Sequence, residues 1–381
     1  MRILRVVFVH HHPPKQMQTR FVKFRPDNFR PSGQTPWGGR RIANDIKACL
    51  GLKVEQDVIG ESWEFSADGD FPSRCLGAGE VTLMHLLSDA PETWLSPAHF
   101  RLWGARSPLL VKLIDAAHDL SLQLHPPIEA SCLASDESGK WEAWYILSRE
   151  AGAGIYLGLA TGANIVDLFD ALLHGEDIRP FLHFIPVQPG EMYVIAPRTI
   201  HALGAGVCVL EPQIMQPGKR ALTFRLHDWN RRYDARGLVA PEGEARPVHT
   251  AQAMSWLDVG MACGIELERK ARLFGRVLYQ DEGLLVMLIE SLPYIRIYIF
   301  RGSGKFELPL PGEILCMTAV AGRVDFCLDG QWHDLRGGES GVVAATGVMA
   351  VFSCQEAEFF LLHCLPSDYE AEQVHCPACT P

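Results

Sequence analysis

The 381-residue sequence predicts an all-β protein with one helical insertion, and three observations carry that prediction. From Leu109 onward, short runs rich in Val, Ile, Leu, Tyr and Phe follow one another, each bounded by Gly or Pro. The same texture returns from about residue 265. Between the two regions lies 235-ARGLVAPEGEARPVHTAQAM, whose Gly, Pro and Ala content reads as a connection. That cadence favours an antiparallel sandwich or barrel, built twice.

Taken in order, residues 1–110 mix loops, short helices and strands and are expected to form an N-terminal extension packing on the first barrel. Within them 26-PDNFRPSGQTPWGGRRIAND is loop-like. The first β region, 111–235, holds the runs 109-LLVKLIDA, 119-DLSLQLH, 142-EAWYILS, 155-IYLGLA, 192-MYVIAP, 206-GVCVLEPQ and 221-ALTFRLHDW. One helix interrupts it near 164–174, where Ile165, Leu168, Phe169 and Leu172 fall at helical spacing and Asn164 is placed to cap the first turn. Residues 236–264 are the connection. The second β region, 265–368, contains 284-LLVMLIE, 294-YIRIYIF, 313-EILCMTAVAG, 323-RVDFCLD, 341-GVVAATG and 349-MAVFSC, with no local grouping of His and carboxylate. Residues 369–381 read as a tail.

Composition narrows the function. With 48% hydrophobic and 21% charged residues the chain can bury a large core. Thirty-five basic against 45 acidic residues leave a net charge of −10, which argues against a general affinity for nucleic acid or an anionic membrane. The N-terminal apolar run Val6 to Val9 is too short for a signal peptide, and no run approaches a membrane span. The 11 cysteines are odd in number and scattered through apolar segments, which suits reduced thiols and a cytoplasmic location. Nothing in the sequence fixes the oligomeric state.

Chemistry concentrates at 119-DLSLQLH. In a strand, alternate residues share a face, so Ser121, Gln123 and His125 point one way while Leu120, Leu122 and Leu124 pack the other. The next strand offers Lys140, Glu142 and Trp144 on one face, bringing an acid opposite His125 if the strands are neighbours. A further imidazole, His201, stands at a strand start after Pro197. Two imidazoles, a carboxylate and an amide oxygen form a mixed N/O set suited to zinc or another divalent transition ion, with a position open for water or substrate. Lone histidines such as His10, His85, His99, His174, His227 and His375 are read as ordinary core or surface residues. The segment 375-HCPACT has zinc-like spacing but lacks a second ligand pair, and the triple histidine at His10 to His12 is read as solvated. No phosphate-cradling or dinucleotide-binding glycine motif is present.

The segments 111-VKLIDAAHDLSLQLHP, 140-KWEAWYIL, 200-IHALGAG and 223-TFRLHDWNRR, with 36-PWGGRRI and 60-GESWEFS, resemble the motifs of the type I mannose-6-phosphate isomerases, zinc-dependent enzymes of the cupin superfamily. The likeness runs in ordered blocks from about residue 30 to 235. It implies two cupin, or jelly-roll, β-barrel domains, the first bearing the metal and the second lacking it. It implies one Zn²⁺ held by Gln123, His125, Glu142 and His201. It further implies that Ser121, Lys140 and Arg225 line the pocket for a small sugar phosphate, with Arg225 at the family's catalytic position and Glu211 matching an acid near the sugar.

Isomerisation of an aldose to a ketose moves a proton between C1 and C2 through a cis-enediol, so the site must hold a base and stabilise an oxyanion. Arg225, permanently charged, is expected to stabilise the oxyanion; Glu211 is the expected base, with Lys140 its rival as proton carrier or as a phosphate contact. The chain also departs from the family pattern. His118-Asp119 stands where Lys-Pro is usual, 212-PQIMQPGKRAL is a longer link before Arg225, and PPIEAS replaces an acidic run after His125. These changes keep two alternatives open: an isomerase of a different or unphosphorylated sugar, and a non-catalytic sugar-binding cupin. A cupin dioxygenase fits the amide ligand and pocket cations less well.

Overall fold

A computed structural model describes residues 20–56, 58–257, 260 and 262–368. In chain order its main strands are β1 (Phe21–Lys23), β2 (Glu61–Phe65), β3 (Leu109–Ala116), β4 (Leu122–Leu124), β5 (Trp141–Arg149), β6 (Gly154–Leu159), β7 (Leu182–Pro186), β8 (Met192–Ile195), β9 (His201–Leu203), β10 (Val207–Ile214) and β11 (Phe224–His227). The C-terminal half adds β12 (Arg272–Leu273), β13 (Arg276–Gln280), β14 (Leu284–Ile289), β15 (Ile295–Pro309), β16 (Leu315–Leu328), β17 (Gln331–Arg336), β18 (Ser340–Val343) and β19 (Met349–Cys364). Helices α1 (Leu83–Asp89), α2 (Pro91–Trp94) and α3 (Pro97–Trp103) precede β3. Helix α4 (Ile165–His174) follows β6, and α5 (Thr250–Trp256) and α6 (Gly264–Ala271) link the two halves.

The strands make three principal sheets. A five-stranded sheet has the order β11-β4-β9-β6-β7, and a six-stranded sheet the order β12-β8-β5-β10-β3-β2. The third runs β1-β18-β16-β19-β15-β14-β13, with β17 hydrogen-bonded to β16. The expected barrels are instead open sheets, because these pairings run edge to edge without closing a ring. Strands β4, β8, β9 and β11 span only three or four residues, too few to sustain a continuous ladder around a barrel, and the two smaller sheets close on each other through side chains. The N-terminal region is divided between them: β2 edges the six-stranded sheet, whereas β1 pairs with β18 in the C-terminal one.

Helix α4 forms where the spacing placed it. The Asn164 side chain accepts the Val166 N–H at 2.8 Å, and Gly175 ends the helix in the left-handed region at φ 69°. Its buried Leu168, Phe169 and Ala171 cover Leu122, Leu124 and Ala202 on the outer face of the five-stranded sheet. The leucines of β4 are thereby used up, and Gln123 is turned inward. No helix of the described residues is long and apolar enough to cross a membrane.

The six-stranded sheet is buried on both sides, which is why β3 and β10 are buried at every position. Val111, Leu113, Tyr145 and Leu210 pack on one side with Ile295, Ile297, Phe360 and Leu362 of the C-terminal sheet. Ile114, Trp144, Ile146 and Val209 pack on the other with Ile155, Leu157 and Leu203 of the five-stranded sheet. At the junction with the C-terminal sheet, Lys47 Nζ lies 2.8 Å from Glu64, whose oxygens also accept from Ser62 and Ser340. That buried pair has its hydrogen-bonding capacity met, the condition under which burying charge is tolerable.

Candidate metal centre and substrate cleft

At one end of the space between the five- and six-stranded sheets, the inward positions turn polar. His201 on β9 and Arg225 on β11 are both register partners of Gln123 on β4, so the three form a row across one sheet. His125 follows two positions after Gln123, and Pro126-Pro127 ends the strand there, since proline cannot donate to a ladder. Gly139 packs so closely on the Pro126 and Pro127 carbonyls that there is no room for a Cβ. This approach brings Lys140 and Glu142 over His125 from the facing sheet.

The turn before His201 is strained in a useful way. Arg198 adopts φ 70°, a conformation that non-glycine residues rarely take, and its N–H donates to His125 O at 2.6 Å. Thr199 O, in the same turn, accepts from His201 Nδ1 at 2.8 Å. On the other ring, His125 Nδ1 donates to Leu222 O at 3.0 Å. Both imidazoles therefore carry their proton on Nδ1 and present a bare Nε2. Burial, with the positive charge of Lys140 acting in the same direction, holds His125 and His201 below the usual histidine range, the latter at about 3, so both rings are neutral.

Those bare nitrogens face a carboxylate. His125 Nε2 lies 3.3 Å from Glu142 Oε1, and His201 Nε2 lies 3.5 Å from Glu142 Oε2. Burial pushes the Glu142 carboxyl up, but Lys140, 2.7 Å away, more than offsets this and holds it well below the usual carboxylate range. Lone pairs thus confront a negative group inside the protein, and among the described residues neither His125 Nε2 nor Glu142 Oε2, both buried, finds a hydrogen-bond partner. An arrangement of that kind is costly unless a cation lies between the groups. Two donors each about 2.1 Å from a tetrahedral metal are about 3.4 Å apart, which matches both separations. The three donor atoms lie within 4.8 Å of one another, the only such group of three or more among the described residues. Gln123 has its amide 3.4 Å from His201 Nε2, where its oxygen, brought round by half a turn, would be a fourth donor. The donor set therefore fits a divalent metal.

Beside this centre lies Glu211. Its Oε1 accepts from Trp144 Nε1 at 2.8 Å and its Oε2 from Gln213 Nε2 at 2.7 Å. The same Gln213 nitrogen donates to Glu142 Oε1 at 2.6 Å, tying the two carboxylates together. Burial, followed by the charge of Glu142, pushes Glu211 up to about 7. Lys112 Nζ, 3.3 Å from Glu211 and 3.7 Å from Glu61, is depressed by burial, but these carboxylates more than offset that and hold it above its ordinary value.

The cleft, of about 180 Å³, brings Ser121, Gln123, Lys140, Glu142, Glu211 and Arg225 together; His125 and His201 do not line it but lie 3.3 and 3.5 Å from Glu142, which does. Its basic residues are Lys112, Lys140, Arg225 and Arg246, and its acidic ones Glu61, Glu142, Glu211 and Asp228. The two sets balance, so a divalent cation would give the cleft the positive excess that a dianion needs. Two roomier hollows, of about 340 and 450 Å³, lie elsewhere and contain no histidine. Sequence reasoning missed Lys112, Gln213 and Arg246. Lys112 and Gln213 share the parity of Ile114 and Glu211 on their strands, so strand alternation carries a signal for them. Arg246 lies in a stretch read as a plain connection. The triple histidine and the HCPACT segment lie outside the described residues.

Comparison with known proteins follows the same direction. No protein-family model matches the chain. A mannose-6-phosphate isomerase of Bacillus subtilis, ManA, is 30% identical over 289 residues, covering 75% of this chain and 82% of that protein. A probable mannose-6-phosphate isomerase of the same organism, GmuF, is 30% identical over 313 residues, covering 81% and 90%. Among solved structures, the mannose 6-phosphate isomerase from Bacillus subtilis superposes with a TM-score of 0.72 at 23% identity, over 91% of this chain and all of that one. A putative mannosephosphate isomerase from Archaeoglobus fulgidus gives 0.68 at 21% identity, over 92% and 99%. The fold is shared with these structures, and on the identity and coverage of its relatives the chain belongs to the mannose-6-phosphate isomerase family.

Proposed function

We propose that the protein interconverts mannose 6-phosphate and fructose 6-phosphate through a cis-enediol, using one Zn²⁺ held by Gln123, His125, Glu142 and His201. The observation that carries this reading is the meeting of His125, Glu142 and His201, with bare donor atoms turned inward, next to Glu211 and Arg225 in one cleft. The smaller pair of sheets and the C-terminal sheet are, on this reading, the family's metal-bearing and metal-free cupin-like units. The unpaired state of the described cysteines supports a cytoplasmic location.

A bound divalent ion supplies Lewis-acid charge where the sugar's C1 and C2 oxygens become negative. The remaining work falls to side chains. Glu211 takes the proton from one carbon and returns it to the other, while the hydroxyl proton shifts between O2 and O1 of the cis-enediol; a carboxyl poised at about 7 is suited to both directions. Trp144 and Gln213 each bond one of its oxygens and so fix its orientation. Lys112 balances its charge when it is ionised. Arg225 presents a guanidinium fork to the enediolate oxygens. Ser121 and Lys140 contact the substrate inside the cleft, with Lys140 also neutralising Glu142.

The test is a coupled assay with mannose 6-phosphate and free mannose, run with metal analysis on one preparation. Turnover of the phosphorylated sugar at one zinc per chain is expected. A strong preference for free mannose would favour the unphosphorylated-sugar reading, and tight sugar binding without turnover in the zinc-loaded protein would favour the binding module.

A further inference from the structure

The linking segment between the two halves of the molecule is built into the cleft. It returns to β11 after Tyr233, where His249 N–H donates to Arg225 O at 2.6 Å and Arg225 N–H donates to His249 Nδ1 at 3.0 Å. Pro247 O accepts from Arg225 Nη1 at 3.0 Å. The segment is thus docked on the strand that carries Arg225 and delivers Arg246 to the cleft wall.

Arg246 is held in place there without a carboxylate. Its Nη2 donates to Gly33 O at 3.0 Å, and its guanidinium stacks 4.3 Å from the centre of the Tyr233 ring. The Tyr233 hydroxyl is fixed in turn by Asp228 Oδ2 at 2.7 Å. Asp228 also lines the cleft, and its other oxygen is taken by Arg231. Among the described residues, neither Arg225 nor Arg246 makes a direct ion pair with a carboxylate, and the buried Arg225 Nε finds no hydrogen-bond partner. Two guanidinium groups with spare donors, oriented by backbone carbonyls and an aromatic face, are a receptor for an oxyanion that accepts several hydrogen bonds at once.

We infer that Arg246 is the residue that anchors the phosphate group of the substrate and makes the enzyme prefer phosphorylated over free sugar. The inference rests on the sugar-phosphate isomerase reading and adds a residue and a role to it. Arg246 stands at the rim, on a different segment from the metal ligands, as an anchor for the non-reacting end of the substrate should. Its contribution is uniform binding, felt in the ground and transition states alike, so its loss shows mainly in KM.

The experiment compares the zinc-loaded full chain with Arg246→Ala and Arg246→Lys. Inorganic phosphate binding, measured by calorimetry, needs no turnover and therefore tests the anchor even if the catalytic reading fails. Arg246→Ala is expected to weaken phosphate binding at least tenfold and to raise KM for mannose 6-phosphate by a similar factor. The ratio of kcat/KM for mannose 6-phosphate to that for mannose should fall at least tenfold. Arg246→Lys keeps charge and reach but not the fork, and should fall between wild type and Arg246→Ala. Equal phosphate affinity in all three proteins overturns the inference, as does a fall in kcat at unchanged KM, which would mark a merely positioning role through Tyr233.

Discussion

Between the five- and six-stranded sheets the inward positions at one end carry Gln123, His125, Glu142, His201 and Glu211, whereas those of the C-terminal sheet carry Phe300, Phe326, Phe352 and Phe359. Both interiors are formed by the same alternation of strand faces. In the C-terminal one, rings meet at 5.1 to 6.1 Å within an apolar cluster. In the other, a web of hydrogen bonds satisfies most atoms yet leaves His125 Nε2 and Glu142 Oε2 unmet. The aromatic interior is packed as folded, while the polar one offers donor atoms that a ligand would complete. A burial pattern therefore locates an interior, and unmet lone pairs turned on one another, as at His125 and Glu142, mark the candidate site within it.

That contrast can be broken from either side. The largest effect is expected from Glu142→Ala or His201→Ala: metal content falls to background and turnover drops by more than about a thousandfold, because the open donor set cannot hold the ion. Metal analysis beside the coupled assay checks this, and a zinc-replete Glu142→Ala protein would contradict it. On the other side, Phe352→Ala should cost about 3 to 5 kcal/mol in urea unfolding through the cavity it leaves. Metal content and kcat per folded molecule should stay as they are.

Acid should weaken the fold through histidines that are buried neutral, one on α3 and one on β19. His99 and His363 have been pushed by burial from the ordinary 6.5 down to about 4. The unfolded chain then binds more protons than the folded one between those values. Stability is complete above about pH 6.5 and is lost as pH falls towards 4, by on the order of 3 kcal/mol for each histidine. Urea midpoints at pH 7 and pH 4.5 test this, and replacing either residue with Leu should flatten the dependence. The smallest effect is reserved for Arg225→Ala, expected to lower kcat about a hundredfold, or about 2.7 kcal/mol, with zinc content intact. Unimpaired turnover would remove Arg225 from the catalytic group.

Parts of this account were legible in the sequence for a physical reason. In β4 one face is leucine and packs under α4, so the contrast with Ser121, Gln123 and His125 stands out. Strands β3 and β10 are buried on both faces, and there alternation separates two kinds of buried residue. Lys112 and Gln213 consequently look like interruptions of an apolar run. Arg246 was hidden because the Gly- and Pro-rich passage around it has no period to read, although it contains the helix α5 and part of the cleft wall. Strand length was also obscured: 313-EILCMTAVAG and 323-RVDFCLD are one strand, β16, bent by bulges around Gly322 at φ 64°. Open sheets and closed barrels share one local pattern, and only the pairing of edges separates them.

On the proposed function, metal binding and turnover both depend on His125, Glu142 and His201 closing on one divalent ion. Anomalous diffraction at the zinc edge from crystals of the active, metal-loaded protein tests it most directly. A single strong peak within about 2.0 to 2.2 Å of both Nε2 atoms and a Glu142 oxygen is expected. An active enzyme with its peak elsewhere, or with none, would contradict the account.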